Sequence, residues 1–247
     1  MGVVLEIKGR AFTAEELALL LGQYQMLPKL AQEIIIDRAV ESVVYKEEEK
    51  AQVFQQLCQQ YQLSTEEQLQ NWLSKHGMTK EQLEALALKR LKVEKYKEEH
   101  WGNKVEAYFL KRKAQLDRVV YSLIRTDKAE VAQELYFRIQ EGESTFQELA
   151  MNYSEGSEAQ TGGLIGPVEV NAPHPRIAQV LSTCKPGQLV PPTRVGEWIV
   201  IIRLENFISA KLDDQMRQRM LDEMFRKWLS EQAEQQVSFF PTSPAIK

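Results

Sequence analysis

The stretch Phe146-Gln-Glu-Leu-Ala-Met-Asn-Tyr-Ser154, followed by Gly162-Gly163-Leu-Ile-Gly166, contains the clearest structural signals in the sequence. Ser144 and Gln147, at its start, have the spacing of a capping box, in which two side chains satisfy the free amides of a helix's first turn. The pattern therefore predicts a helix that is followed by a polar, glycine-rich loop over 154–166.

Short apolar segments on either side of this helix indicate a small sheet. The β-branched segment 118–125 predicts a strand, and Asp127 predicts the cap of a further helix. After the loop, 173–181 is typical of a short helix. An edge strand containing two prolines is predicted over 188–194, and a mostly apolar central strand over 199–204. The predicted order is strand, two helices, short helix and two strands.

The first 115 residues consist almost entirely of predicted helices. After a short alternating strand over 3–7, Thr13 and Pro28 each mark a helix start. Two further helices begin at capping boxes, formed by Ser64 with Glu67 and by Thr79 with Gln82.

The last predicted helix carries an apolar stripe with one residue every four positions: Leu212, Met216, Met220, Met224 and Trp228. Such a stripe needs a partner, and the N-terminal helices are the predicted one. Flexible thioethers would also suit a groove that accepts varied apolar peptides, so this alternative stays open.

The composition is that of an ordinary soluble protein. The chain has 247 residues, 43% hydrophobic and 27% charged, and a formal net charge of -4, so nothing drives it toward nucleic acid or an anionic membrane. Residues 1–5 lack the basic start and apolar run of a signal peptide, and no apolar run approaches the ~20 residues of a spanning helix. These observations predict a cytoplasmic protein with protein or peptide partners and no membrane insertion. Cys58 and Cys184 are interpreted as structural thiols.

The segment 146–154, the glycines of 162–166 and the turn Lys185-Pro-Gly-Gln188 together resemble the signature of parvulin-type peptidyl-prolyl isomerases. The helices before them resemble the N-terminal domain of the SurA and PrsA class of foldase chaperones. The resemblance implies an α+β fold, in which a parvulin domain with a small antiparallel sheet is inserted in an all-helical domain. The implied parts are an N-terminal helical domain, the parvulin domain, a C-terminal helix that packs on the N-terminal domain, and a flexible tail: 1–115, 116–207, 208–236 and 237–247.

This resemblance implies rotation about X-Pro peptide bonds, whose barrier of ~18–20 kcal/mol makes the uncatalysed step slow. It implies no cofactor. Active parvulins carry two histidines, a Cys or Asp between them, and a Met and a Phe that hold the proline ring. The corresponding positions here hold Tyr121, Val200, Gly156, Pro173 and Ile177, so this sequence departs from the family pattern at each of them.

A peptide-binding site on the same surface is still implied, because hydroxyl and apolar side chains remain there. The candidate peptide-binding residues are Tyr121, Ser122, Leu164, Pro173, His174, Ile177 and Leu181. His174 is a candidate acid or base, although a lone histidine of this kind is more often a surface or capping residue. We assign no catalytic residue and no metal ligand.

Three functions therefore stay open. The first is a folding factor that binds unfolded, proline-containing or exporting polypeptides, with weak or lost isomerisation. The second is an active parvulin-type isomerase, and the third is a non-catalytic adaptor for a protein-export machine. The basic segment 89–118 is interpreted as a solvated helix face, with docking of an acidic partner as the alternative.

Overall fold

The computed structural model describes residues 3–240, which divide into two compact units. One unit contains the chain up to Val105 and the chain from Arg217 onward, and the other contains Glu106–Met216. The predicted α+β class is confirmed, since helices dominate and a small antiparallel sheet is present. Within the described part of the chain, no helix is both long enough and apolar enough to cross a membrane. Residues 241–247 of the predicted tail lie outside the described residues.

The first unit begins with a two-stranded antiparallel hairpin, of which only the first strand was predicted. Helices make up the rest of this unit. Its elements are β1 (Val3–Ile7), β2 (Arg10–Thr13), α1 (Ala14–Gln23), α2 (Leu27–Ala39), α3 (Glu47–Gln60), α4 (Glu66–His76), α5 (Lys80–Trp101), a 3-10 turn (Gly102–Lys104) and most of α10 (Asp214–Gln236).

Capping boxes determine where several of these helices begin. The predicted box of Thr79 with Gln82 is present. The predicted box of Ser64 with Glu67 is wrong by one residue, because Thr65 adopts the extended cap conformation and its hydroxyl accepts the backbone N–H of Gln68. The side chain of Gln68 accepts the backbone N–H groups of both Ser64 and Thr65. The sequence pattern of a capping box fits either of these two hydroxyl residues.

Two apolar clusters hold the first unit together. Helices α3, α4 and α5 bury leucines against one another. In the second cluster, Phe225 and Leu229 of α10 pack against Ile35 of α2, and Met220 is fully buried nearby in the sequence. Three of the four buried residues of α10, Leu221, Phe225 and Leu229, each directly follow a residue of the predicted stripe. Lys97 of α5, itself buried, donates to Asp222 of α10 at 2.6 Å.

The second unit is a four-stranded antiparallel sheet with helices on both faces. Its strand order is β4-β3-β6-β5, which places the proline-containing β5 at an edge and β6 in the interior, as predicted. All of α6 except its first residue belongs to this unit. The elements are α6 (Val105–Leu116), β3 (Arg118–Thr126), α7 (Ala129–Gln140), α8 (Phe146–Tyr153), a 3-10 turn (Ser157–Thr161), β4 (Leu164–Glu169), α9 (Pro175–Thr183), β5 (Leu189–Val195) and β6 (Trp198–Ile208).

Three sequence predictions for this unit need correction. The segment Leu164–Glu169 is a strand, although the predicted loop was extended to Gly166. Helix α8 is capped by Thr145, because the Thr145 hydroxyl accepts the Glu148 backbone N–H. Helix α7 has Lys128 at its cap position and no side-chain cap, so Asp127 does not serve as one.

The sheet separates two cores because successive side chains of a strand point to opposite faces. On one face, alternate residues of β3 and β6 pack with α9. On the other face, Ile124 and Ile201 pack with α7 and α8. The first of these faces carries the candidate peptide-binding residues Tyr121 and Ile177.

The first strand of the sheet begins beside the point where the last strand ends. Arg118, at the start of β3, is paired with Ile208 at the end of β6. The buried Asp117 carboxylate accepts hydrogen bonds from Lys113 Nζ at 2.9 Å and from the Ala210 backbone N–H at 2.7 Å. These bonds connect the segment after β6 to the segment before β3. The domain boundaries predicted from the sequence stay a prediction.

Candidate peptide-binding site

The site is built on the two central strands of the second unit. Tyr121 and Leu123 of β3 lie on the same face as Val200 of β6, next to Ile177 of α9. Tyr121 is only 4% exposed. Burial raises the pKa of the Tyr121 hydroxyl, the nearby Glu158 carboxylate raises it further, and Arg125 opposes these effects. Tyr121 is therefore a neutral, largely enclosed side chain.

A cavity of about 340 Å³ opens at the end of this face where β3 leaves the sheet. Its buried lining is apolar, while His174, Gly196 and Glu197 are exposed members. The volume is at the small end of the range for ligand pockets, which suits one apolar side chain. The lining residues are Leu123, Arg125, His174, Ile177, Val195, Gly196, Glu197, Trp198 and Val200.

An ion pair between Arg125 and Glu158 lies beside the cavity. Arg125 Nε donates to Glu158 Oε1 at 2.8 Å, and Nη2 donates to Oε2. The Ser154 hydroxyl donates to Glu158 Oε1 at 2.7 Å and accepts the Arg125 backbone N–H. Burial raises the pKa of Glu158, but the hydrogen bonds from Arg125 and Ser154 outweigh it and the net shift is downward. Glu158 is thus a carboxylate with an exposed fraction of only 2%.

Gly156 leaves the room that this ion pair occupies. A Cβ atom added there would overlap Arg125 Nε and Glu158 Oε2. The backbone at Gly156 is extended, with φ of -110°, so its conformation does not require glycine. Space favours it, because a side chain at position 156 would have to displace the ends of the two side chains that form the ion pair.

The family model of the PPIC-type peptidyl-prolyl isomerase domain, also called rotamase, matches residues 123–206. These residues run from the middle of β3 to the end of β6 and include the whole cavity. The chain carries a parvulin-type domain. No curated protein matches the chain in sequence.

Solved structures with this fold extend beyond the parvulin-type domain. PrsA from Bacillus cereus, a peptidylprolyl isomerase, is 14% identical, with a TM-score of 0.50 over 98% of this chain and 94% of that one. PrsA from Bacillus anthracis is 20% identical, with a TM-score of 0.49 over 86% of this chain and 100% of that one. At such identities the likeness concerns the fold.

Two of the seven predicted peptide-binding residues, His174 and Ile177, line the cavity of the parvulin-type domain. Tyr121 belongs to the same apolar cluster as Ile177, and Pro173 directly precedes His174 in the sequence, but neither residue lines the cavity. His174 is also the cap of α9, where its Nδ1 accepts the Arg176 backbone N–H at 3.3 Å. The capping interpretation of His174 therefore agrees with the structure, and the exposed ring still borders the cavity.

The other three predicted residues do not line the cavity, for reasons of strand geometry and burial. Ser122 points to the opposite face from Tyr121, where its hydroxyl donates to Glu205 Oε1 at 2.5 Å. Leu164 is the antiparallel partner of Ser122 and shares that opposite face. Leu181 is a residue of α9 that packs into the core and is 0% exposed.

Sequence reasoning missed Arg125, Glu158 and Trp198. The alternation Tyr121, Leu123, Arg125 along β3 is a signal that could have placed the arginine on the site face. Glu158 had no such signal, because it lies in a polar loop without periodicity, and the direction of its side chain could not be predicted from the sequence. The Arg125 guanidinium carbon lies 5.9 Å from the centre of the Trp198 ring, a further contact that fixes its position.

Proposed function

We propose that the chain is a folding factor that binds unfolded, proline-containing or exporting polypeptides, with prolyl isomerisation weak or lost. One observation carries this proposal: the parvulin-type domain keeps an apolar cavity on its site face. The resemblance places Tyr121, Gly156 and Val200 at the three polar family positions. An apolar cavity supports binding, and the replaced polar groups argue against fast turnover.

The magnitude of the loss follows from the chemistry of rotation. Positioned polar groups typically contribute ~10²-fold or more each to a rate. Val200 has no polar atom to offer on its side chain, and Tyr121 is almost fully enclosed. Arg125 adds a charge near the site, but Glu158 neutralises it. We therefore expect affinity for proline peptides and little acceleration of their cis-to-trans exchange.

An exchange assay tests this proposal. Cis-to-trans rates of X-Pro peptides with varied X are measured by NMR with the full chain, and with a Tyr121→Phe, His174→Ala double variant. We expect near-uncatalysed rates for both proteins, together with measurable peptide binding. Efficient turnover that the double substitution abolishes would contradict the proposal and establish an active isomerase instead.

The proposed clients are tested separately. If the chain is a general folding factor, an excess of it slows the aggregation of several unrelated unfolded proteins without ATP. Activity toward a single partner would favour the adaptor for an export machine. The cytoplasmic location predicted from the sequence stays a prediction, which fractionation of the source cells would test.

A further inference from the structure

We propose that Arg125, fixed by Glu158, donates a hydrogen bond to a backbone carbonyl oxygen of the bound peptide and is a peptide-binding residue of the site. This inference rests on the proposed function, since it assigns a role within the same peptide-binding face. It concerns a residue outside the five family positions.

Arg125 lines the cavity and has N–H donors that Glu158 does not use. A guanidinium has five N–H donors, and Glu158 accepts two of them, one from Nε and one from Nη2. Within residues 3–240, Glu158 is the only group that accepts a hydrogen bond from this side chain. Arg125 is 31% exposed and is one of the residues that line the cavity. The remaining N–H groups are therefore available to a ligand.

Charge selects the kind of acceptor. Glu158 is buried and paired with Arg125, so the pair has no net charge. Glu197, another residue lining the cavity, would repel a phosphate or carboxylate. A neutral acceptor that needs only one or two N–H donors fits this surrounding better than an anion. Backbone carbonyls of peptides are such acceptors.

The apolar lining places that carbonyl next to a seated side chain. Leu123, Ile177 and Val200 are all buried and line the same cavity as the guanidinium. A proline ring packed on these residues brings the carbonyl of its own X-Pro bond near Arg125. Gly156 is part of this arrangement because its missing Cβ makes room for the guanidinium.

The position of the donor also bears on turnover. A planar amide carries more negative charge on its oxygen than a twisted one, because resonance is lost on twisting. A donor at the carbonyl oxygen therefore stabilises the planar ground state more than the twisted state, and such binding does not accelerate rotation. Arg125 would hold proline peptides without rotating them.

The test uses two peptides that differ in one atom. The first is a proline-containing peptide, and the second has the X-Pro carbonyl oxygen replaced by sulfur, a weaker acceptor. Affinities are measured by calorimetry with the full chain and three variants: Arg125→Lys, Gly156→Ala and the control Arg138→Lys. Arg138 is on α7, bonded to Ser144, away from the cavity. Thermal melts confirm that each variant is folded.

We expect the wild type and Arg138→Lys to prefer the oxygen peptide about tenfold, as the loss of one charge-assisted hydrogen bond implies. Arg125→Lys loses the planar fork, and Gly156→Ala displaces the guanidinium without removing a charge, so both should bind the two peptides alike. Equal binding of the two peptides by the wild type, or an unchanged preference in Arg125→Lys, would overturn this inference and leave the proposed function intact. Salt-sensitive competition by inorganic phosphate would also overturn it. A wild type that binds neither peptide would instead refute the proposed function itself.

Discussion

Replacing Arg125 with methionine should destabilise the second unit by leaving a buried carboxylate without its partner. Glu158 is 2% exposed and receives two hydrogen bonds from Arg125. Breaking a buried ion pair on one side costs about 3–5 kcal/mol. Because Arg125 is itself 31% exposed and Ser154 still donates to Glu158, we expect the lower end, about 3 kcal/mol near pH 7.

The destabilisation should depend on pH in a defined direction. The folded-state pKa of Glu158 is depressed in the wild type, so its contribution to stability is present above the unfolded pKa and is lost as the pH falls. In Arg125→Met, burial without the arginine raises the Glu158 pKa, and protonation then relieves the unpaired charge. The difference between the two proteins should therefore shrink to about 1 kcal/mol or less near pH 4.

Urea titrations at both pH values, followed by pulsed hydrogen exchange in β3 and β6, give the free energy of unfolding of this unit alone. Arg138→Met is the matched control, because Arg138 pairs at 3.7 Å with the exposed Glu134, and such surface pairs contribute about 0–1 kcal/mol. Two results would refute the electrostatic argument. In the first, Arg125→Met lowers the free energy of unfolding by less than the control does at neutral pH. In the second, this loss of free energy is the same at both pH values.

Two further predictions use matched pairs of residues in the second unit. Gly163→Ala should cost more than about 3 kcal/mol of unfolding free energy, because φ is +84° there and an added Cβ would lie 2.8 Å from the Leu123 carbonyl oxygen. Gly187→Ala, at φ of +82° with open space around it, should cost only about 1 kcal/mol, and equal costs in urea titrations would contradict this reasoning. Thr145→Ala should lower the melting temperature of the unit through the loss of about 1 kcal/mol of capping, whereas Ser144→Ala should cost less than half as much. A larger effect of Ser144→Ala than of Thr145→Ala would support Ser144 as the cap, as the sequence predicted.

The sequence predicts the fold well where local chemistry decides it. Chain order, the interior position of β6 and the edge position of β5 follow from apolar content and from prolines. Strand β4 was missed because Leu164-Ile-Gly-Pro-Val-Glu169 contains two residues that usually mark turns. The caps of α4 and α8 were misplaced by one residue, since adjacent hydroxyl residues offer two registers of one motif.

The site was harder to predict than the fold. His174 and Ile177 could be placed by resemblance, whereas Ser122 could not, because the resemblance does not state which face of β3 each residue occupies. The partnership of Arg125 with Glu158 joins residues far apart in the sequence through a loop without periodicity. Only the folded chain brings them together.

The junction at Asp117 has a consequence for shortening the chain. Where the first residue of β3 faces the last residue of β6, the two ends of the segment between them are separated by about 5 Å, the spacing of paired strands. Removing that segment leaves a gap that a very short peptide can bridge.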